Sequence, residues 1–206
     1  MKTKSILSLA YTLVFVAVVG PASAGLIVAN GDFQDLTGLT AQGGGWYEGV
    51  PAGWTGINAT YTVYDTGSAV VANLSQLASN GSSPSLFLSQ SVGTTDVTGN
   101  VTLTFDLPGT FGAAYSVGAG IYAGPFTNGT NYAFGTFSSV GSQTLTTSSP
   151  VAAGTALSVA FYLVTPGTPP ALDNVAIAQV PEPGTWAMLT AGVACAAFLR
   201  RRSRRA

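Results

Sequence analysis

Asn100-Val101-Thr102-Leu103-Thr104-Phe105-Asp106 alternates polar and apolar residues without a break. Side chains alternate across an extended chain, so Val101, Leu103 and Phe105 face one side while Thr102, Thr104 and Asp106 face the other. One apolar and one polar face is the mark of a half-buried antiparallel strand, since strands of parallel sheets are apolar throughout. Outward from this run, similar stretches are Leu26 to Ala29, Ala59 to Asp65, Ala69 to Asn73, Ser85 to Val92 and Ala114 to Tyr122. Tyr132 to Phe137, Gln143 to Thr147, Leu157 to Val164 and Leu172 to Gln179 follow. Asn30-Gly31, Asn80-Gly81, Pro108-Gly109, Asn128-Gly129 and Pro166-Gly167 supply turn chemistry between them. About ten short strands with glycine-rich turns predict an all-β antiparallel sandwich of two sheets. Between Gly38 and Gly53 glycine is too dense for a regular element, and a long loop carrying Trp46, Tyr47 and Glu48 is expected.

Charge divides the chain sharply. All seven basic residues lie in the terminal segments, and the stretch from Gly25 to Pro181 has no Lys, Arg or His. Against that stand Asp32, Asp35, Glu48, Asp65, Asp96, Asp106 and Asp173, giving the body a formal charge of −7. Such a surface cannot displace phosphate counterions, which excludes nucleic-acid partners. It also lacks the imidazole base, thiol, Schiff-base lysine and arginine clamp of most catalysis, so only carboxylates, hydroxyls and backbone remain. A carboxylate-pair glycoside hydrolase needs just two acids, but no spacing among the seven selects a pair, and the body reads as non-catalytic. The single cysteine, Cys195, lies in the tail, so the body has no disulfide. At about 156 residues it is one domain that can bury roughly 70% of its extended-chain surface.

The two ends speak of export. Lys2 and Lys4 precede an apolar run from Ile6 to Val19, and Ala22-Ser23-Ala24 offers small residues where signal peptidase needs them, so residues 1–24 read as a signal peptide cleaved after Ala24. At the other end, Val180-Pro181-Glu182-Pro183 leads into an apolar run from Trp186 to Leu199 and then Arg200, Arg201, Arg202, Arg204 and Arg205. As a helix that run reaches about 21 Å against a hydrocarbon core of about 30 Å, a transient membrane stop rather than a lasting anchor. Residues 180–206 resemble the PEP-CTERM sorting signal of Gram-negative bacteria, carried by Pro181, Glu182, Pro183, Arg200, Arg201 and Arg202. The resemblance implies recognition by an exosortase, cleavage near Pro-Glu-Pro, and delivery to the cell surface or extracellular matrix.

The body, residues 25–179, carries a second resemblance. An opening Leu26-Ile27-Val28-Ala29-Asn30-Gly31-Asp32-Phe33, then Gly53-Trp54-Thr55, and a closing Ala171-Leu172-Asp173-Asn174-Val175-Ala176-Ile177 look like galactose-binding-like jelly rolls. That resemblance implies first and last strands lying together, Asn30-Gly31-Asp32 near Asp173, and a structural Ca²⁺ held by Asp32, Asp35 and Asp173. Calcium favours such hard oxygen ligands but takes six to eight of them, and Gln34 stands where a glutamate commonly follows the phenylalanine. The competing reading makes Asn-Gly-Asp a turn and Asp173 a strand-end cap.

Sugar recognition needs flat rings to stack on pyranose C–H faces and polar groups to bond the hydroxyls. Trp46 and Tyr47 in the glycine-rich loop and Trp54 at the head of a strand are the candidates, although a tryptophan placed like Trp54 more often caps the core. Tyr61 and Tyr64 fall on opposite faces, and Tyr115, Phe126 and Tyr132 near later turns are weaker candidates whose default is core packing. Together these features predict an exported protein that binds or associates with extracellular polysaccharide. A structural or adhesive matrix protein without a small ligand is the first alternative, and a secreted hydrolase the second.

Overall fold

The computed structural model describes residues 25–57, 62–73, 87–109, 116–165, 171–181 and 192–193. The signal peptide with Ala24, the tail from Glu182 through its arginines (Gly192 and Val193 excepted), and Tyr61 and Tyr115 lie outside the described residues. Among the described residues twelve strands are formed: β1 (Thr40–Gly43), β2 (Trp46–Glu48), β3 (Thr55–Ile57), β4 (Thr62–Asp65), β5 (Val70–Asn73), β6 (Phe87–Thr94), β7 (Gly99–Leu107), β8 (Ser116–Ala123), β9 (Thr130–Phe137), β10 (Gly141–Thr146), β11 (Ala156–Thr165) and β12 (Ala171–Pro181).

They make two antiparallel sheets, β1-β2-β4-β5-β12-β7-β10 and β3-β6-β11-β8-β9. From β5 onward the order β5-β12-β7-β10 faces β6-β11-β8-β9, so eight consecutive strands wrap as a jelly roll. β7 alternates as its sequence predicts: Val101, Leu103, Phe105 and Leu107 are buried in the core, while Thr102, Thr104 and Asp106 face outward toward solvent. Outward Thr102 and Thr104 sit opposite Thr146 and Thr144 of β10. Between the sheets Phe105 meets Phe161 and Phe137 edge-on, each at a centroid distance of 5.1 Å.

Two local expectations are corrected. The Gly38 to Gly53 stretch is not a loop, because β1 and β2 pair as a hairpin and β2 extends the sheet along β4. Its glycines make the turn rather than dissolve it: Gly43, Gly44 and Gly45 all take positive φ, and the Gly45 carbonyl accepts the Asp65 N–H at 2.8 Å. Residues 26–29, in turn, form no strand. They run along the free edge of β6 beyond β3, with the Ile27 N–H donating to the Val92 carbonyl at 2.8 Å. The opening and closing segments of the body still meet, since the Val175 N–H donates to the Gly31 carbonyl at 2.8 Å, and that approach leaves no room for a Cβ at position 31.

Candidate functional site

The two sheets differ in charge. β3, β6, β8, β9 and β11 contain no acidic or basic residue, whereas Glu48 in β2, Asp65 in β4, Asp106 in β7 and Asp173 in β12 all belong to the seven-stranded sheet. Asp32, Asp35 and Asp96 lie in connections.

The uncharged sheet carries the largest group of aromatic rings outside the core among the described residues. Val117, Ala119 and Ile121 point into the core, so strand parity puts Gly118, Gly120 and Tyr122 on the outer face of β8. By the same rule Phe161 is inward and Tyr162 outward on β11, and Phe134, opposite Gly120, faces outward on β9. The two glycines are a floor. A Cβ on Gly118 would lie 2.5 Å from the Tyr162 ring, and one on Gly120 would lie 2.5 Å from the Tyr122 ring, so both rings rest directly on β8 backbone. Phe134 is parallel to Tyr162, with centroids 5.4 Å apart and planes 8° apart, and is 43% exposed. Phe87 meets Tyr162 edge-on at 5.4 Å, and Phe126 lies 4.3 Å from Phe87 and 4.9 Å from Tyr122.

Burial raises the Tyr122 phenol above its ordinary value, with the neighbouring Tyr162 adding to the effect, and burial raises Tyr162 as well. Both hydroxyls therefore keep their protons at neutral pH and can donate as well as accept. The result is an uncharged outer face on which the Phe134 and Tyr162 rings lie parallel, with Tyr122, 9% exposed, beside Phe126. It suits a flat ligand with an apolar face.

This platform is not the one the sequence pointed to, except for Phe126, which belongs to it rather than to the core. Trp54 is 6% exposed and belongs to the core, stacked on Phe33 at 5.5 Å and tilted against Phe161 at 6.1 Å. Its Nε1 donates to the Asn30 carbonyl at 3.1 Å, so neither ring nor nitrogen is open to a sugar. Trp46 and Tyr47 are consecutive in β2 and face opposite ways. Tyr47 packs against the core, while Trp46 stands across from Tyr64 of β4 with centroids 4.4 Å apart. They form no shared platform. Tyr132 packs on the core as expected.

Each carboxylate expected to hold calcium accepts a hydrogen bond from a nearby backbone N–H. Asp35 Oδ1 accepts the Thr37 N–H at 2.9 Å, and hydrogen bonds from Thr37 hold its carboxyl below the ordinary value. Asp32 Oδ1 accepts the Gln34 N–H at 3.4 Å. Asp173, 8% exposed, accepts the Asn174 N–H at 2.7 Å. It stands opposite Asp106 in the β12–β7 ladder, and Asn174 Nδ2 bridges the two by donating to Asp106 Oδ2 at 2.9 Å. The Ser142 hydroxyl donates to the other oxygen of Asp106. Among the described residues no three His, Cys, Asp or Glu side chains come together as a group that could hold a metal ion.

Residues 179–204 match the family model of the PEP-CTERM protein-sorting motif, a mark of export and of sorting to the bacterial cell surface. No curated protein sequence matches the chain. Among solved structures the body is similar to a protein described as "CBM4 structure and function", at 14% identity and a TM-score of 0.45 over 74% of this chain and 99% of that one. It is similar also to the K3 cleaved adhesin domain of Lys-gingipain from Porphyromonas gingivalis W83, at 17% identity and 0.45 over 73% and 96%. A third is the CBM22-1 xylan-binding domain of Xyn10C from Paenibacillus barcinonensis, at 13% identity and 0.42 over 65% and 90%.

Proposed function

We propose that the mature body is a non-catalytic protein that binds extracellular polysaccharide through the outer face of its five-stranded sheet. It reaches its place by passage through the inner membrane of a Gram-negative bacterium, with signal peptidase removing residues 1–24 and an exosortase removing the tail. One observation carries the binding reading: Tyr162 and Tyr122 lie on a floor of Gly118 and Gly120, with Phe134 parallel to Tyr162 and open to solvent. A sugar ring has a C–H face that stacks on such rings, and protonated tyrosine hydroxyls at their rims bond its hydroxyl groups. Core packing needs no glycine floor on the outward side of a sheet. Trp46 remains a proposed second contact, with Tyr64 rather than Tyr47 beside it.

Affinity electrophoresis of the secreted protein, in gels containing exopolysaccharide from the producing cells or neutral plant and bacterial polysaccharides, tests the proposal. Retardation that disappears in Tyr162→Ala is the expected result. Unchanged mobility in every polysaccharide would favour the second reading, a matrix or adhesion protein whose exposed aromatic face meets another protein.

A further inference from the structure

We infer that the mature protein keeps Pro181: the bond cut in the sorting tail lies on the C-terminal side of that residue. The inference rests on the proposed removal of the tail, and adds where the cut must fall. The matched motif begins at residue 179, but β12 runs to Pro181, so the first three residues of the motif are part of the folded sandwich. Gln179 pairs with Val101, Val180 with Asn100 and Pro181 with Gly99 on β7. Gly99 is fixed from its other side, exchanging hydrogen bonds with Val151 at 3.1 and 2.8 Å.

The side chain of Gln179 ties the same end of β12 to the β6–β7 connection. Its Oε1 accepts the Asp96 N–H at 3.1 Å and the Val97 N–H at 3.4 Å, and its Nε2 donates to the Val97 carbonyl. A protease takes its substrate as extended chain whose backbone groups are free, so bonds already held in a ladder are cut only after that ladder opens. Here the ladder is that of β12 with β7, since β5 pairs only with Ala171 and Leu172 at the other end of β12. Cutting before residue 181 would mean opening the end of the β12–β7 ladder, and a cut before residue 179 would also remove the Gln179 tie.

Pro181 is also where pairing can stop without loss. It has no N–H to donate, and neither has Pro183 two residues on, so the sequence offers the ladder little beyond this point. The Pro-Glu-Pro motif thus works as a boundary as well as a recognition element: its first proline closes the last strand and hands the following bonds to the enzyme.

Intact-mass measurement and C-terminal peptide sequencing of the native secreted protein test this. The expected C-terminus is Pro181 or one of residues 182–185. A C-terminus at Val180 or earlier overturns the inference while leaving tail removal standing. A chain still ending in its arginines overturns tail removal itself, and the inference falls with it.

Discussion

The carboxamide of Gln90 hydrogen-bonds both backbone groups of Ala29, Nε2 donating to the carbonyl at 2.9 Å and Oε1 accepting the N–H at 2.6 Å. Gln90 is buried on the inward side of β6, and its side chain does what a neighbouring strand would do for residues 26–29. Replacing it by leucine strands two polar groups of Ala29, a cost of about 1–3 kcal/mol. Gln90→Leu is expected to lower the melting temperature by several degrees, at roughly 2–4 °C per kcal/mol for a domain of this size. Thermal unfolding followed by circular dichroism checks it, and an unchanged Tm would show that the pair contributes nothing.

The glycine floor makes a separate prediction, because Gly118 and Gly120 touch the platform rings and not the core. Gly118→Ala should tilt Tyr162 off the sheet and weaken polysaccharide retention without disturbing the apolar interior. Tyr162→Ala removes the ring outright; losing about 1–1.5 kcal/mol of stacking corresponds to roughly tenfold weaker binding. Tyr162→Phe keeps the ring and should cost less. Affinity electrophoresis reads all three, and equal retention of Gly118→Ala and wild type would mean the flat ring is not the contact.

Much of the sandwich was legible because its signal is local. The alternation at 101–107, where Val101, Leu103, Phe105 and Leu107 turn inward, needs only the period of a strand to be read. The hairpin of β1 and β2 was not, since Gly43, Gly44 and Gly45 look like chain disorder until their positive φ values are seen to make one tight turn. The aromatic platform was hidden for a different reason. An outward Tyr122 or Phe134 has the same period as a core residue, and only partner strands settle which way each side points. A signal did exist: Gly118-Ala119-Gly120 inside a strand marks a close approach by something, here the tyrosine rings. Trp54 misled in the opposite sense, because nothing in the sequence shows that Phe33 and Phe161 enclose it.

Trp54 therefore belongs to stability. Trp54→Ala should cost about 3–5 kcal/mol, the range for deleting a large buried aromatic. Trp54→Phe keeps a ring near Phe33 and Phe161 but leaves the Asn30 carbonyl without the Nε1 donor, about 1 kcal/mol. Denaturant unfolding should show both losses, while polysaccharide retention of Trp54→Phe stays at the wild-type level. Weakened retention in that well-folded variant would return Trp54 to the binding site.

Asp173 gives the body a pH dependence of defined sign. Burial raises its carboxyl above the ordinary 3.8, the hydrogen bond from the Asn174 N–H opposes that rise, and the charges of Asp106 and Asp32 add to it. In the window between 3.8 and the raised folded value, the folded state holds more protons than the unfolded one, so stability falls as pH rises through that window. Above it the ionised Asp173 is a standing cost. Asp173→Asn keeps an oxygen to accept the Asn174 N–H and removes the charge, so it should melt above wild type at pH 7. That advantage should shrink as pH falls through the raised folded value, where wild-type Asp173 takes up its proton. Asp35 runs the other way, since its lowered carboxyl supports the fold above 3.8 and ceases to do so in stronger acid. Melting curves of both proteins from pH 7 to pH 4 measure the difference, and a gap that stays constant with pH would rule out Asp173 as its source.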